Sequence, residues 1–187
     1  MLTIAEKGLA SAEAARLEIT AFYLAQEAIE YVRNVRDTNA LAGYGGTSDW
    51  LIGDEDISLL DTCFAPEGCG VDPTAPADTL TNQQTVPCES SNGQCTLYQY
   101  TGVSDTSNNG DCAPYQLPGL TDSRKGLFGH RSTTGWEKTC FTRKVFLEEI
   151  EDNTEASVTV RVTWKAGSLG DRTITVNEHL FNWYESN

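Results

Sequence analysis

The chain has 187 residues, enough for one domain with a hydrophobic core and too few to indicate two. Its 13 basic residues are outnumbered by 27 acidic residues, so the formal net charge is −14. Nucleic-acid binding depends largely on cations that displace counterions from phosphates, so this balance argues against DNA as a partner and favours a solvated acidic surface.

Six cysteines indicate a disulfide-containing domain from outside the cytosol. They form no close C-x-x-C pair, and only two histidines accompany them, so a zinc site is disfavoured. The shortest pairing joins Cys63 to Cys69 and Cys88 to Cys95 as local loops, and Cys112 to Cys140 across a longer distance. Other connectivities stay open at this point.

A domain outside the cytosol needs an export signal. The residues after Met1 soon include Glu6 and Lys7, and they contain neither a signal-peptide apolar region nor an apolar run of about 20 residues. We therefore expect that a signal was removed or that the chain was shortened ahead of Leu2.

Residues 1–43 predict one long helix. Good helix formers dominate, there is no proline, and the glycines at 43, 45 and 46 are typical of a helix end. One apolar stripe follows helical spacing, and a second stripe lies beside it. The first stripe contains Leu17, Ala21, Leu24, Ala28, Tyr31 and Val35, and the second contains Ile19, Phe22, Gln26 and Ile29.

Residues 44–140 predict a long loop region that the disulfides hold together. Turn-forming residues are dense, and all six prolines lie here. Short apolar runs, such as residues 96–100, are candidate strands.

Residues 141–187 predict an antiparallel meander. Period-two runs cover residues 141–150, 157–166 and 172–181, with turn-rich segments between them. The apolar face of such a sheet needs a cover, and the N-terminal helix is the large partner available. The expected fold is therefore α+β, a long helix packed on a sheet of three or four strands with a stapled loop between them.

This order of elements resembles the type IV pilin fold. "TAFYLAQEAIEYVRNVRDTNAL" resembles the segment that follows the membrane-embedded half of the spine helix in proteins with a prepilin-type cleavage and methylation signal. "VTVRVTWKAG" and "RTITVNEHLFNWYE" resemble the closing sheet of the same proteins. The resemblance covers about the first 43 and the last 50 residues.

The resemblance implies a structural subunit of an extracellular type IV pilus or pseudopilus, anchored in the inner membrane by a preceding apolar segment before assembly. Other pilin subunits would then be the partners. Leu17, Leu24, Tyr31 and Val35 would pack on the subunit's own sheet. The residues available to neighbouring subunits in the filament would be Leu2, Ile4, Leu9 and Ile19.

Two features depart from the family. The processing signal, a Gly before an apolar run with a Glu near its start, is missing, and Glu6 does not replace that Glu because no apolar run follows it. Many pilins also close their last loop with a disulfide near the C-terminus, whereas no cysteine follows Cys140 here.

No catalytic constellation is visible, so we expect no enzymatic function. A nucleophilic site needs a nucleophile, a base and an orienting group, and neither His130 nor His179 lies in such a motif. His130 is expected in a loop and His179 on a sheet face.

"DTSNNGD" is the one candidate metal site. Asp105, Ser107, Asn109 and Asp111 alternate around Gly110, as in the first half of a calcium loop, but Gln116 stands where a bidentate Glu is needed. An ordinary Asn/Asp/Gly turn is the favoured interpretation, and no cofactor is expected.

Two other functions stay open beside the filament subunit. One is a tip adhesin or ligand-binding minor pilin, for which the stapled loop and the aromatics of "FNWYES" offer a surface for a partner or a glycan. Aromatics at a strand end more often border the core, which is the interpretation we favour. The other is a type II secretion pseudopilin. The overall negative charge disfavours a DNA-uptake pilin, and the local cations Arg124, Lys125 and Arg131 are the observation in its favour.

Overall fold

A computed structural model describes residues 2–43, 50–53, 60–75, 84–89, 95–102, 123, 126–130, 133–166 and 170–183. Within the helix, the side chains are described from Glu6 onward.

The N-terminal helix, α1, spans Leu2–Ala42, as predicted. At 1.5 Å per residue it is roughly 60 Å long. It ends at Gly43, whose positive φ of 94° suits glycine, and the Gly43 N–H donates to the Ala40 carbonyl at 3.2 Å. Residues 6–13 are exposed on all sides, so the first turns of α1 project beyond the rest of the domain.

The three long strands form the predicted meander. They are β5 (Trp136–Glu151), β6 (Glu155–Lys165) and β7 (Asp171–Phe181), all antiparallel. Every second residue of β6 from Ala156 to Trp164 is buried against α1, whereas Arg161 and Lys165 are exposed on the opposite face. The predicted boundaries were short by five residues at the start of β5.

The expectation of three or four strands was wrong, because the described residues form a seven-stranded sheet. The additional strands come from the region predicted as loop: β1 (Cys69–Val71), β2 (Thr85–Pro87) and β4 (Phe128–Gly129). The fourth strand of that region, β3 (Thr96–Tyr100), matches a predicted candidate. Strands of two or three residues are too short to show alternation, so only pairing in the folded sheet reveals them.

β5 is the centre of this sheet. β6 pairs along one edge of β5 from Phe141 to Glu151. On the other edge, β3 pairs with the first half of β5 as far as Thr142, and β1 meets it at Val145. The stapled region therefore completes the sheet that α1 covers.

Two disulfides join cysteines that are close in sequence, Cys63 to Cys69 and Cys88 to Cys95, which are the two local pairs predicted. Cys140 is also disulfide-bonded, and its predicted partner Cys112 lies outside the described residues. Disulfides persist in oxidising compartments, so the domain belongs to the extracellular or envelope space.

Candidate assembly surface

The apolar residues of α1 lie on two opposite faces of the helix. The buried face contains alanines that let α1 approach the sheet closely, together with larger aliphatic residues. These are Leu17, Ala21, Leu24, Ala25, Ala28, Ile29, Val32 and Val35.

The second apolar face is exposed, and we call it the outer helix face: Ile19, Phe22 and Tyr23. Their exposed fractions are 57%, 48% and 65%. At about 100° per residue, Ile19 points about 180° away from Ala28 on the buried face. The domain's own sheet therefore leaves these three large side chains uncovered.

A buried arginine fixes how α1 sits on the sheet. Arg143 of β5 is fully buried on the helix side. Its Nη1 donates to the Leu24 carbonyl at 2.9 Å and to Glu27 Oε2 at 2.5 Å, and its Nη2 donates to the Val71 carbonyl at 2.7 Å. A buried charge is tolerated when it is paired and hydrogen-bonded, so this guanidinium joins α1, β1 and β5 at one point.

Sequence reasoning missed Arg143, although a signal was present. Residues 141, 145 and 147 of β5 are apolar and face the core, and position 143 has the same parity. Because side chains alternate along a strand, an arginine in that series predicts a buried cation that needs an acidic partner.

A second ion pair links α1 to β7. Arg33 Nε donates to Glu178 Oε1 at 2.7 Å, and Arg33 Nη2 donates to the same oxygen. Arg33 Nη1 also donates to Glu30 at 2.6 Å. The hydrogen bond to Glu178 raises the pKa of the Arg33 guanidinium. This pair orients the lower half of α1 relative to the sheet.

The predicted packing residues divide as follows. Leu17, Leu24 and Val35 are buried against the domain's own sheet and Tyr31 is partly buried, which confirms their predicted intramolecular packing. Leu9 and Ile19, predicted to face neighbouring subunits, are 72% and 57% exposed. Leu2 and Ile4 lie in the helix, and their side chains are outside the described part of the chain.

A groove of about 540 Å³ runs beside Tyr31, between α1 and the two residues Pro73 and Gln84. The Tyr31 hydroxyl donates to Gln84 Oε1 at 3.2 Å. Burial, and then the nearby negative charge of Asp72, raise the pKa of Tyr31. A phenol held neutral in this way is a structural hydrogen-bond donor.

The two histidines have structural contacts. The His130 backbone N–H donates to Asp72 Oδ2 at 2.9 Å, just after β4, in a loop position as predicted. His179 lies on an exposed sheet face, also as predicted, and its Nδ1 is 2.5 Å from Glu155 Oε1.

The aromatic residues at the end of β7 differ from the prediction. Phe181 and Trp183 are 55% and 57% exposed, so they do not border the core. Between them, Asn182 is anchored, because its backbone N–H donates to the Thr154 carbonyl and its Nδ2 donates to the Asn153 carbonyl. The chain turns along the sheet end at this point and leaves both rings in solvent.

Several predicted residues lie outside the described part of the chain. They are the calcium candidates Asp105, Ser107, Asn109 and Asp111 and the cations Arg124, Lys125 and Arg131. Among the described residues, no three or more His, Cys, Asp or Glu side chains are arranged to hold a metal ion.

Comparison with protein-family models, with curated proteins and with solved structures found no match. In the described part of the chain, no helix combines the length and the hydropathy needed to cross a lipid bilayer.

Proposed function

We propose that this protein is a structural subunit of a type IV pilus-like or pseudopilus-like extracellular filament, assembled by packing of α1 against α1 of neighbouring subunits. The observation that carries the proposal is the outer helix face, three large apolar side chains that point away from the domain's own core. The order of elements, a long helix followed by an antiparallel sheet that it covers, also supports it.

The energetics favour association through this face. Covering a large apolar side chain that would otherwise be exposed contributes about 1.5–3 kcal/mol. The outer helix face offers three such side chains, and Leu9 adds a fourth on the projecting part of α1. Contiguous exposed apolar surface of this kind marks an interaction site.

The domain also holds α1 firmly enough for a repeating contact. Arg143 fixes the helix at Leu24, and Arg33 fixes it at Glu178. Each subunit therefore presents the outer helix face at the same angle to its sheet, as a regular filament requires. An apolar segment ahead of Leu2 would hold the subunit in the inner membrane before assembly.

The test is to express the complete gene, with variants, in the organism that encodes it, and to shear filaments from the cell surface. We expect the wild-type protein in the sheared fraction, and a loss of at least about tenfold for Ile19→Glu/Tyr23→Glu, since the two partly exposed side chains together contribute more than the 1.4 kcal/mol that corresponds to tenfold. Thr38→Glu, an exposed site near the other end of α1, is the matched control and should assemble normally.

Two results would overturn the proposal. One is a double variant that is exported, folded and still incorporated at the wild-type level. The other is a wild-type protein that never appears in the sheared fraction although it reaches the envelope.

The exposed rings of Phe181 and Trp183 favour one second candidate, a ligand-binding minor subunit. Aromatic side chains in solvent provide stacking surface for a glycan or a surface partner. Immunogold labelling of the same filaments separates the two functions: label along the whole length indicates the structural subunit, and label restricted to tips indicates the ligand-binding one.

A further inference from the structure

The outermost strand of the sheet, β7, has one unpaired edge. All 11 residues of β7 pair with β6 in an unbroken register. Among the strands that the structure describes, none pairs with the other edge of β7. Along that edge, backbone N–H and C=O groups of alternate residues point outward with no strand to receive them.

β7 lacks several of the usual protections of an edge strand, although it carries charged residues near both ends. Natural proteins shorten such strands, bend them with bulges, or place Pro or Lys in them. β7 is long, its register has no shift, and its sequence DRTITVNEHLF contains neither Pro nor Lys. Its centre, Thr173 to Val176, is β-branched throughout, which favours the extended conformation.

The side chains of β7 complement those of an antiparallel copy of the same strand. When Thr175 lies opposite its own copy, Arg172 faces Glu178 and Asp171 faces His179. In the same register, Ile174 faces Val176 and Thr173 faces Asn177. Each contact occurs twice because of the twofold axis.

We infer that β7 pairs with β7 of a second copy of this chain, antiparallel and centred on Thr175, so that the two sheets become one. Shifting the register by two residues in one direction would place Arg172 opposite Val176, and in the other direction opposite the buried Leu180. Of these three registers, only the one centred on Thr175 places Arg172 opposite a carboxylate, that of Glu178, so electrostatics select it.

The helix-side residues of β7 support this pairing. Ile174 and Val176 lie on the face that α1 covers, yet both are only partly buried. A second copy would cover them with its own Val176 and Ile174. Glu178 is available as well, because both of its hydrogen bonds from Arg33 end on Oε1 and neither involves Oε2.

The second copy also leaves room for both helices. A twofold axis perpendicular to the joined sheet places both helices on the same face. α1 packs mainly over β6, with fewer contacts to β7 and β5. With strands about 4.8 Å apart, a helix axis centred over β6 is about 7 Å from the twofold axis, so the two helices are about 14 Å apart where each lies over β6, beyond the 8–10 Å of directly packed helices.

The pairing is independent of the outer helix face, so its failure and the failure of the filament proposal are distinguishable. The edge dimer is expected to survive Ile19→Glu/Tyr23→Glu. The dimer is measured on the purified chain, whereas filament assembly is measured by shearing filaments from cells.

Cysteine cross-linking of the purified chain tests the register directly. The described cysteines are all disulfide-bonded, so a cross-link formed by one introduced cysteine reports on the position of that cysteine. Directly opposite side chains have Cβ atoms about 4.5–5.5 Å apart, so Thr175→Cys should form a covalent dimer under mild oxidation. Thr173→Cys is the matched control, because its two copies would be about 13 Å apart along the strand and should form no covalent cross-link. Mixing Thr173→Cys with Asn177→Cys should again give a covalent dimer.

Adding Arg172→Glu to Thr175→Cys should reduce the cross-linked fraction severalfold, because two Glu–Glu contacts replace two ion pairs. Circular dichroism of each variant confirms the fold. A folded Thr175→Cys protein that forms no covalent dimer would overturn the inference, and so would equal cross-linking of Thr173→Cys and Thr175→Cys.

Discussion

Gly68 shows how a single residue connects the stapled region to the long strands. It lies directly before Cys69 with a positive φ of 70°. A Cβ added there would stand 2.6 Å from the Val145 carbonyl oxygen and 2.9 Å from the Phe146 ring. Its N–H donates to the Ala65 carbonyl, and its carbonyl accepts from the Cys88 N–H, so the local loop cannot move aside easily.

We expect Gly68→Ala to lower the free energy of unfolding by about 3 kcal/mol or more, because left-handed strain and a backbone clash add together. Gly126→Ala is the matched control. Gly126 has a similar φ of 85°, but an added Cβ would have nothing within 4 Å, so only the strain of about 1–2 kcal/mol applies. Urea unfolding of both variants measures the difference. Equal losses would show that the chain relieves the contact with Val145 at no cost.

At the scale of elements, α1 has two roles in one continuous helix. From Leu17 onward it covers the sheet, and residues 6–13 contact little of the domain. A leucine therefore contributes differently to the free energy of unfolding at different positions along the helix. Leu24 is 4% exposed and Leu9 is 72% exposed.

We expect Leu24→Ala to cost about 2–5 kcal/mol of stability, because it leaves a cavity between α1 and the sheet. Leu9→Ala should change stability by less than about 0.5 kcal/mol, since it alters an exposed site. Denaturant unfolding of the isolated chain compares them. A large loss for Leu9→Ala would mean that the projecting turns of α1 pack on the domain after all.

The long elements could be predicted from sequence because their periodicity extends over many residues. The helix and the three meander strands follow from apolar spacing together with helix propensity and turn-forming residues. The short strands did not, because β4 has only two residues and forms only when the rest of the sheet is present.

The two faces of α1 were only partly predictable. Ile19, Phe22 and Ile29 fall in one apolar stripe of the sequence, but Ile29 is buried and the other two are exposed. Sequence spacing shows where apolar residues lie around a helix, but the position of the sheet determines which of these residues are buried. The Arg143 contacts join residues more than 70 positions apart, a range that periodicity does not reach.

For the whole molecule, the dominant electrostatic feature is excess negative charge. The end of β5 and the turn that follows it concentrate this charge, since the four acidic residues Glu148, Glu149, Glu151 and Asp152 are all exposed there. With a net charge of −14, the folded chain repels itself.

We expect added salt to stabilise the protein. Raising NaCl from about 10 mM to about 150 mM shortens the Debye length from about 30 Å to about 8 Å and screens this repulsion. A gain of about 1 kcal/mol would raise Tm by about 2–4 °C for a chain of this size. Calorimetry measures it, with a neutral solute at equal osmolality as the control. A fall in Tm would show that ion pairs such as Arg33–Glu178 outweigh the general repulsion.

The Arg143 guanidinium also determines how this domain opens. Its donors bind the carbonyl of Leu24 in α1 and that of Val71 in β1, and its charge faces Glu27. If α1 lifted away alone, the cation would lose its acidic partner and the Leu24 carbonyl, at a cost of about 3–5 kcal/mol in addition to that of the lost apolar contacts. We therefore expect helix and short strand to exchange their amide hydrogens as one cooperative unit, with fluctuations that expose only one of them suppressed.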